Sequence, residues 1–166
     1  AAQLMMLFLS GRRGALLADQ MGLGKTHTTL LLLWRLMEAG EISEDRPALV
    51  VAPSRVVDQW LVEAQQWSSI HLWHSMLSTI VKVDSKSFKP ATAMNALRAS
   101  MHLCTYADFT QPTTFDTLAT YLYRVAVFDE ARGLEDPMSC TSLHLTLLRK
   151  AGTGVCTNQD NQPLFV

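Results

Sequence analysis

The octapeptide Asp19-Gln20-Met21-Gly22-Leu23-Gly24-Lys25-Thr26 stands between a short apolar run, Ala15–Ala18, and a Gly- and Pro-free stretch of long side chains from Lys25 to about Glu38. That order reads as strand, glycine-rich turn, helix. Gly22 and Gly24 let the backbone turn and bring its N–H groups close to an anion with no Cβ in the way. The helix begins at the same place, so its positive end and free N–H groups face that anion. Lys25 adds a point charge suited to β- and γ-phosphates, and the Thr26 hydroxyl is placed to ligate Mg²⁺. Asp19 through Thr26 are therefore the expected nucleotide contacts, with ATP and Mg²⁺ as cofactors. The general pattern G-x-x-x-x-G-K-[ST] has Gly where this chain has Asp19. The structural alternative is a glycine-rich turn that opens an amphipathic helix.

A second signal follows about a hundred residues later, in Arg124-Val125-Ala126-Val127-Phe128-Asp129-Glu130-Ala131-Arg132. An apolar strand there delivers two adjacent carboxylates to its carboxyl end. Asp129 is the expected Mg²⁺ partner of Thr26. Glu130 is the expected general base, orienting and polarising an attacking water. Adjacent acids at a strand end also arise by chance; the phosphate loop upstream is what gives this pair chemical meaning.

Between the two signals, strand-like and helix-like segments alternate. Ala48–Ala52 reads as a buried strand stopped by Pro53, and Ser54 as the N-cap of a helix reaching about Trp67. A strand around Thr79–Val83, a helix at Ala91–Ser100, a strand at Leu103–Tyr106, a helix at Thr113–Tyr123 and a strand at Val125–Phe128 complete the pattern. Such alternation predicts an α/β fold: a mainly parallel sheet with helices on both faces and ligands at the carboxyl ends of its strands. With no repeat or linker in sight, residues 1–166 read as one domain.

Composition narrows the partners. Apolar residues make up 48% and charged residues 17%, enough for a real core. A net charge of −1 provides no global basic field to draw the chain onto nucleic acid. Contacts to DNA through a few backbone amides and hydroxyls stay open. Cys104, Cys140 and Cys156 form no CxxC pair and read as reduced, mostly buried thiols of an intracellular protein. His71 and His74 lack a Cys or acidic partner at metal-binding spacing and read as packing or surface residues. No apolar stretch approaches the ~20 residues a bilayer needs, so no membrane partner is expected. Arg12 and Arg13 follow the apolar N-terminal residues, the reverse of a secretory signal. The chain starts at Ala1 without an initiator Met, as a piece of a longer protein would.

Taken together, these segments resemble one family. Asp19–Thr26 is similar to the D-E-M-G-L-G-K-T signature of Swi/Snf-type chromatin-remodelling ATPases of helicase superfamily two, in which Asp commonly stands where other phosphate loops have Gly. Only Gln20 differs. Ala48-Leu49-Val50-Val51-Ala52-Pro53-Ser54, followed by Gln59-Trp60, resembles the family's strand and P-x-x-x-x-x-Q-W element, which contacts the DNA backbone. Cys104-Thr105-Tyr106 resembles its T-T-Y-E element, and Asp129-Glu130-Ala131-Arg132 its D-E-A-H box.

The resemblance implies the N-terminal, ATP-binding lobe of a two-lobed, RecA-like motor that tracks double-stranded DNA or nucleosomes. It further implies ATP hydrolysis in a cleft shared with a second helicase lobe, and work in the nucleus. It assigns Pro53, Ser54, Thr105 and Tyr106 to the DNA-facing surface. Pro53 and Ser54 also suit simple strand termination and helix capping, and the two roles are compatible.

Two segments depart from the family. Arg132 replaces the box histidine with a longer, permanently charged side chain, which puts in question how the nucleotide site is coupled to the other elements. Ala151-Gly152-Thr153-Gly154-Val155-Cys156-Thr157-Asn158 keeps only the Gly-Thr of an expected T-G-T-P…Q-N element. An alternative function follows from these departures: a truncated or decayed paralogue that acts as a nucleotide-binding or interaction module with little turnover. A different phosphate-loop enzyme would not be expected to carry the Pro53-to-Trp60 and Thr105-Tyr106 elements in this order.

Overall fold

The structure is a computed structural model that describes residue 17, residues 22–66, 80–85, 98–131, 136 and 138–144, and the helical backbone of 67–70. Helix α1, Lys25–Glu38, matches its expected span. It buries Thr29, Leu30, Leu32, Leu33, Leu36 and Met37, a stripe at helical spacing that faces the sheet. It stops at Gly40, whose φ of +70° allows a left-handed turn. There Gly40 N–H donates to Met37 O and Glu41 N–H to Leu36 O, both at 2.9 Å, the paired bonds that close a helix C-terminus.

Strand β1, Ala48–Ala52, is buried throughout, and helix α2, Ser54–Ile70, follows directly. Strand β2 is Ile80–Val83 and β3 is Met101–Thr105. Two short helices, α3 at Tyr106–Phe109 and α4 at Pro112–Leu118, lead to β4 at Val125–Phe128. The four strands are all parallel, in the order β2-β3-β1-β4.

Alternation along the strands creates two cores. Ala48, Val50, Ala52, Met101, Leu103, Val125 and Val127 pack with α1 and α2 on one face. Leu49, Val51, Val83, Cys104, Ala126 and Phe128 pack with Phe109, Phe115, Leu118 and Tyr123 on the other. Helices thus cover both faces, as the alternating pattern predicts.

Several boundaries differ from expectation. Ser54, expected as a cap, is the first residue of α2, whose opening bonds run to Pro53 O, and that helix reaches Ile70. Tyr106 belongs to a helix and not to the strand, because Thr105 turns the chain: its Oγ1 accepts from Asp108 N–H and caps α3. The helix expected at Thr113–Tyr123 starts at Pro112 and ends at Leu118. Tyr123 then enters the core, where its hydroxyl lies 2.7 Å from His102 Nδ1, an arrangement a continued helix would not permit. Residues 98–100 of the expected Ala91–Ser100 helix are not helical; 91–97 lie outside the described residues. The Ala15–Ala18 run, His71, His74 and Cys156 also lie outside them, Leu17 apart. No helix among the described residues is long and apolar enough to cross a membrane.

Candidate nucleotide and DNA-facing site

Parallel strands point all their carboxyl ends the same way, and the register here aligns them. Ala52 pairs with Thr105 and Val51 with Phe128. Pro53 and Ser54, Thr105 and Tyr106, and Asp129 and Glu130 therefore leave the sheet along one edge. The opposite edge holds a different group, Arg124 Nε donating to Glu41 at 2.8 Å.

At the start of α1, Gly22 and Gly24 take φ of +85° and +76°. A Cβ built at either would meet nothing within 4 Å, so the need for glycine is conformational and not steric. Gly24 is the N-cap, no side chain caps the helix, and its first turn has no acidic residue. A helix N-terminus with no side-chain cap and no acidic residue of its own in the first turn suits a phosphate anion. Lys25 and Thr26 are half-buried in that first turn. Asp19, Gln20 and Met21 lie outside the described residues, as do Arg132 and the segment 151–158.

Asp129 is held from three sides. Its N–H donates to Val51 O at 2.9 Å, its carbonyl accepts from the Tyr106 hydroxyl at 2.9 Å, and its Oδ2 accepts from Trp60 Nε1 at 2.8 Å. Burial, and after it the charge of Asp129 with Cys104 and Glu130, pushes the Tyr106 hydroxyl well above its ordinary pKa, so it stays a neutral donor.

Glu130 follows with φ of +50°, the one non-glycine residue at positive φ among the described residues. Such a backbone is uncommon and carries a cost that the surrounding contacts must offset. Its carboxylate forms an ion pair with Arg55.

Helix α2 connects the two halves of the site. Trp60 and Glu63 are three residues apart and share a face. Trp60 reaches Asp129, while Glu63 lies 3.6 Å from His27 Nδ1, in the first turn of α1 beside Lys25 and Thr26. One turn of α2 therefore touches both the start of α1 and the acidic pair. Among the described residues no three His, Cys, Asp or Glu side chains gather into a metal cage. A hydroxyl and one carboxylate fit Mg²⁺, which usually takes one or two protein carboxylates and completes its shell with phosphate oxygens and water.

Sequence reasoning missed Arg55 as a partner of Glu130, and Trp60 and Tyr106 as supports of Asp129. The Trp60 and Tyr106 positions were legible as parts of motifs, but their partners lie 69 and 23 residues away and no local pattern encodes that pairing.

Known proteins resemble this chain in sequence and in fold. Mouse (Mus musculus) DNA repair and recombination protein RAD54B is 28% identical over 150 residues, covering 89% of this chain and 16% of that protein. The chicken (Gallus gallus) protein of the same name is 44% identical over 63 residues, 36% of this chain and 7% of the relative. Protein CHROMATIN REMODELING 19 of Arabidopsis thaliana is 29% identical over 143 residues, 82% of this chain and 18% of that protein. The chain thus spans less than a fifth of the length of these relatives. Among solved structures, the DEAD-box helicase Mss116 bound to ssRNA and UDP-BeF superposes with a TM-score of 0.65 at 18% identity. That match covers 98% of this chain and 33% of the helicase, and establishes the RecA-like fold. The family model of the SNF2-related domain matches residues 1–152, and the chain belongs to that family.

Proposed function

We propose that residues 1–166 form one ATP-binding lobe of a DNA-dependent ATPase that works on double-stranded DNA or nucleosomes in the nucleus. A second helicase lobe completes it. The observation that carries this reading is the double reach of α2, from Trp60 to Asp129 and from Glu63 to His27. It gathers the start of α1 and the acidic pair around one helical turn. The names of the RAD54B and Arabidopsis relatives support DNA or chromatin as the substrate.

In this reading the backbone of Asp19–Gly24 and the Lys25 ammonium bind the phosphates of ATP. Thr26 and Asp129 are the residues that would hold Mg²⁺, which when bound would supply positive charge to the phosphoryl oxygens. Glu130 orients a water and accepts its proton on a carboxylate oxygen. Pro53, Ser54, Thr105 and Tyr106 face the DNA backbone. A second lobe supplies the arginine that stabilises the transferring phosphoryl group, worth on the order of 10³–10⁵ in rate in such enzymes. The lobe alone accordingly binds Mg-ATP and turns it over slowly.

One feature favours a second reading, a binding module with little turnover: Arg132 stands where the family's box has histidine. Steady-state ATP turnover with and without duplex DNA separates the two. Slow turnover that rises when a second lobe is joined in cis supports the motor. Rapid DNA-stimulated turnover by the chain alone contradicts the need for a second lobe, and turnover unchanged by a joined lobe favours the module.

A further inference from the structure

Glu130, the candidate general base, does not point freely toward a water. Its Oε2 is paired with Arg55 Nη2. Arg55 is the residue after Ser54, in the first turn of α2, on the edge proposed to face DNA. Its side chain is 70% exposed, whereas that of Glu130 is 34% exposed. The cation therefore stands on the solvent side of the pair, where an incoming anion can reach it.

The backbone holds Glu130 in this place. Asp129 is fixed through its N–H, carbonyl and carboxylate by Val51, Tyr106 and Trp60, and the chain then turns through the positive φ of Glu130. The position of the carboxylate is thus set by the sheet edge, while the partner is a long, exposed side chain. An exposed ion pair of this kind is weak. A phosphate oxygen is at least as good an acceptor for a guanidinium, which binds it with paired, charge-assisted hydrogen bonds.

We infer that Arg55 is an exchangeable cation, paired with Glu130 in the DNA-free lobe and with a backbone phosphate when duplex DNA lies along the Ser54 edge. The exchange releases the Glu130 carboxylate when DNA is bound, so availability of the base follows occupancy of the track. This inference rests on the DNA-facing reading above.

Competition for one side chain has a thermodynamic signature that mere proximity lacks. Binding of the full chain to a short DNA duplex, measured by fluorescence anisotropy across a salt series, tests it with Glu130→Gln, Arg55→Ala and the double substitution. Thermal midpoints confirm that each variant is folded.

Glu130→Gln, which frees Arg55, tightens DNA binding at low salt by up to about fivefold, the range of an exposed pair. Arg55→Ala weakens binding and lowers the slope of log affinity against log salt by about 1, the loss of one phosphate contact. In the Arg55→Ala background, Glu130→Gln changes nothing. If Glu130→Gln tightens binding equally with and without Arg55, its effect is general charge repulsion and the exchange is refuted. If Arg55→Ala leaves affinity and salt slope unchanged, Arg55 meets no phosphate and the inference fails alone. A wild-type chain that binds no duplex overturns this inference and the DNA-facing reading together.

Discussion

The indole Nε1 of Trp60 donates to Oδ2 of Asp129 at 2.8 Å, across 69 residues of sequence. Trp60 is 3% exposed, so this bond fixes one oxygen of the acid from inside the protein. Hydrogen bonds to a charged group contribute about 1.5–3 kcal/mol. Trp60→Phe keeps most of the ring and removes the donor, and is expected to destabilise the fold by about 2 kcal/mol. Urea denaturation reads that loss. Mg-ATP affinity should fall with it, because Asp129 loses its fixed orientation. Unchanged affinity and stability would show that the bond has no role in either.

The Thr105–Asp108 turn makes a prediction about acid. Burial pushes the Asp108 carboxyl upward. Hydrogen bonds from the Thr105 hydroxyl and amide and from the Ser85 amide and hydroxyl outweigh it, and the net pKa is depressed. A carboxylate with a depressed folded pKa adds stability above its unfolded pKa and loses it as pH falls through the folded value. Asp108→Asn should therefore lower the urea midpoint at neutral pH. Because the group is only half-buried, solvent screens it and the expected cost is under about 1 kcal/mol. The gap between wild type and variant should close on acidification below the ordinary carboxylate range. A gap that widens in acid would reverse the assigned sign.

The thiols differ in a way a simple reagent can read. Cys104 is fully buried in β3, and burial, followed by the nearby charge of Asp108, pushes its thiol far up. Cys140 is exposed. Since the thiolate is the reactive form, a Cys156→Ser chain should lose one thiol rapidly to an aromatic disulfide reagent in the folded state. The second should react only in denaturant. Two fast thiols in native buffer would contradict the packing of β3.

Much of this arrangement was legible in the chain itself. The helix Lys25–Glu38 and the strands Ala48–Ala52 and Val125–Phe128 match their sequence spans, because unbroken periodicity and clear stop signals at Gly40 and Pro53 mark them. The strand placed around Thr79–Val83 is present as Ile80–Val83. The turn at Thr105 was also readable, since Thr105-x-x-Asp108 has the spacing of a capping box, yet the apolar run before it suggested a longer strand.

The partners within the site were not legible. Trp60 on Asp129, Tyr106 on the Asp129 carbonyl and Arg55 on Glu130 each join separate elements across the carboxyl edge. Only the parallel register of β1, β3 and β4 brings them together. The motifs marked which residues matter, while the sheet decided which of them touch.

The account stands on a single pocket shared by the phosphate loop and the acidic pair. The most direct test is the affinity of the chain for a fluorescent ATP analogue, with Mg²⁺ and with chelator, in wild type, Lys25→Ala and Asp129→Asn. The account predicts that Lys25→Ala abolishes binding under both conditions. Asp129→Asn should keep the Mg²⁺-free affinity and lose the gain that Mg²⁺ gives wild type. Nucleotide binding that survives Lys25→Ala, or an Mg²⁺ gain untouched by Asp129→Asn, would contradict it.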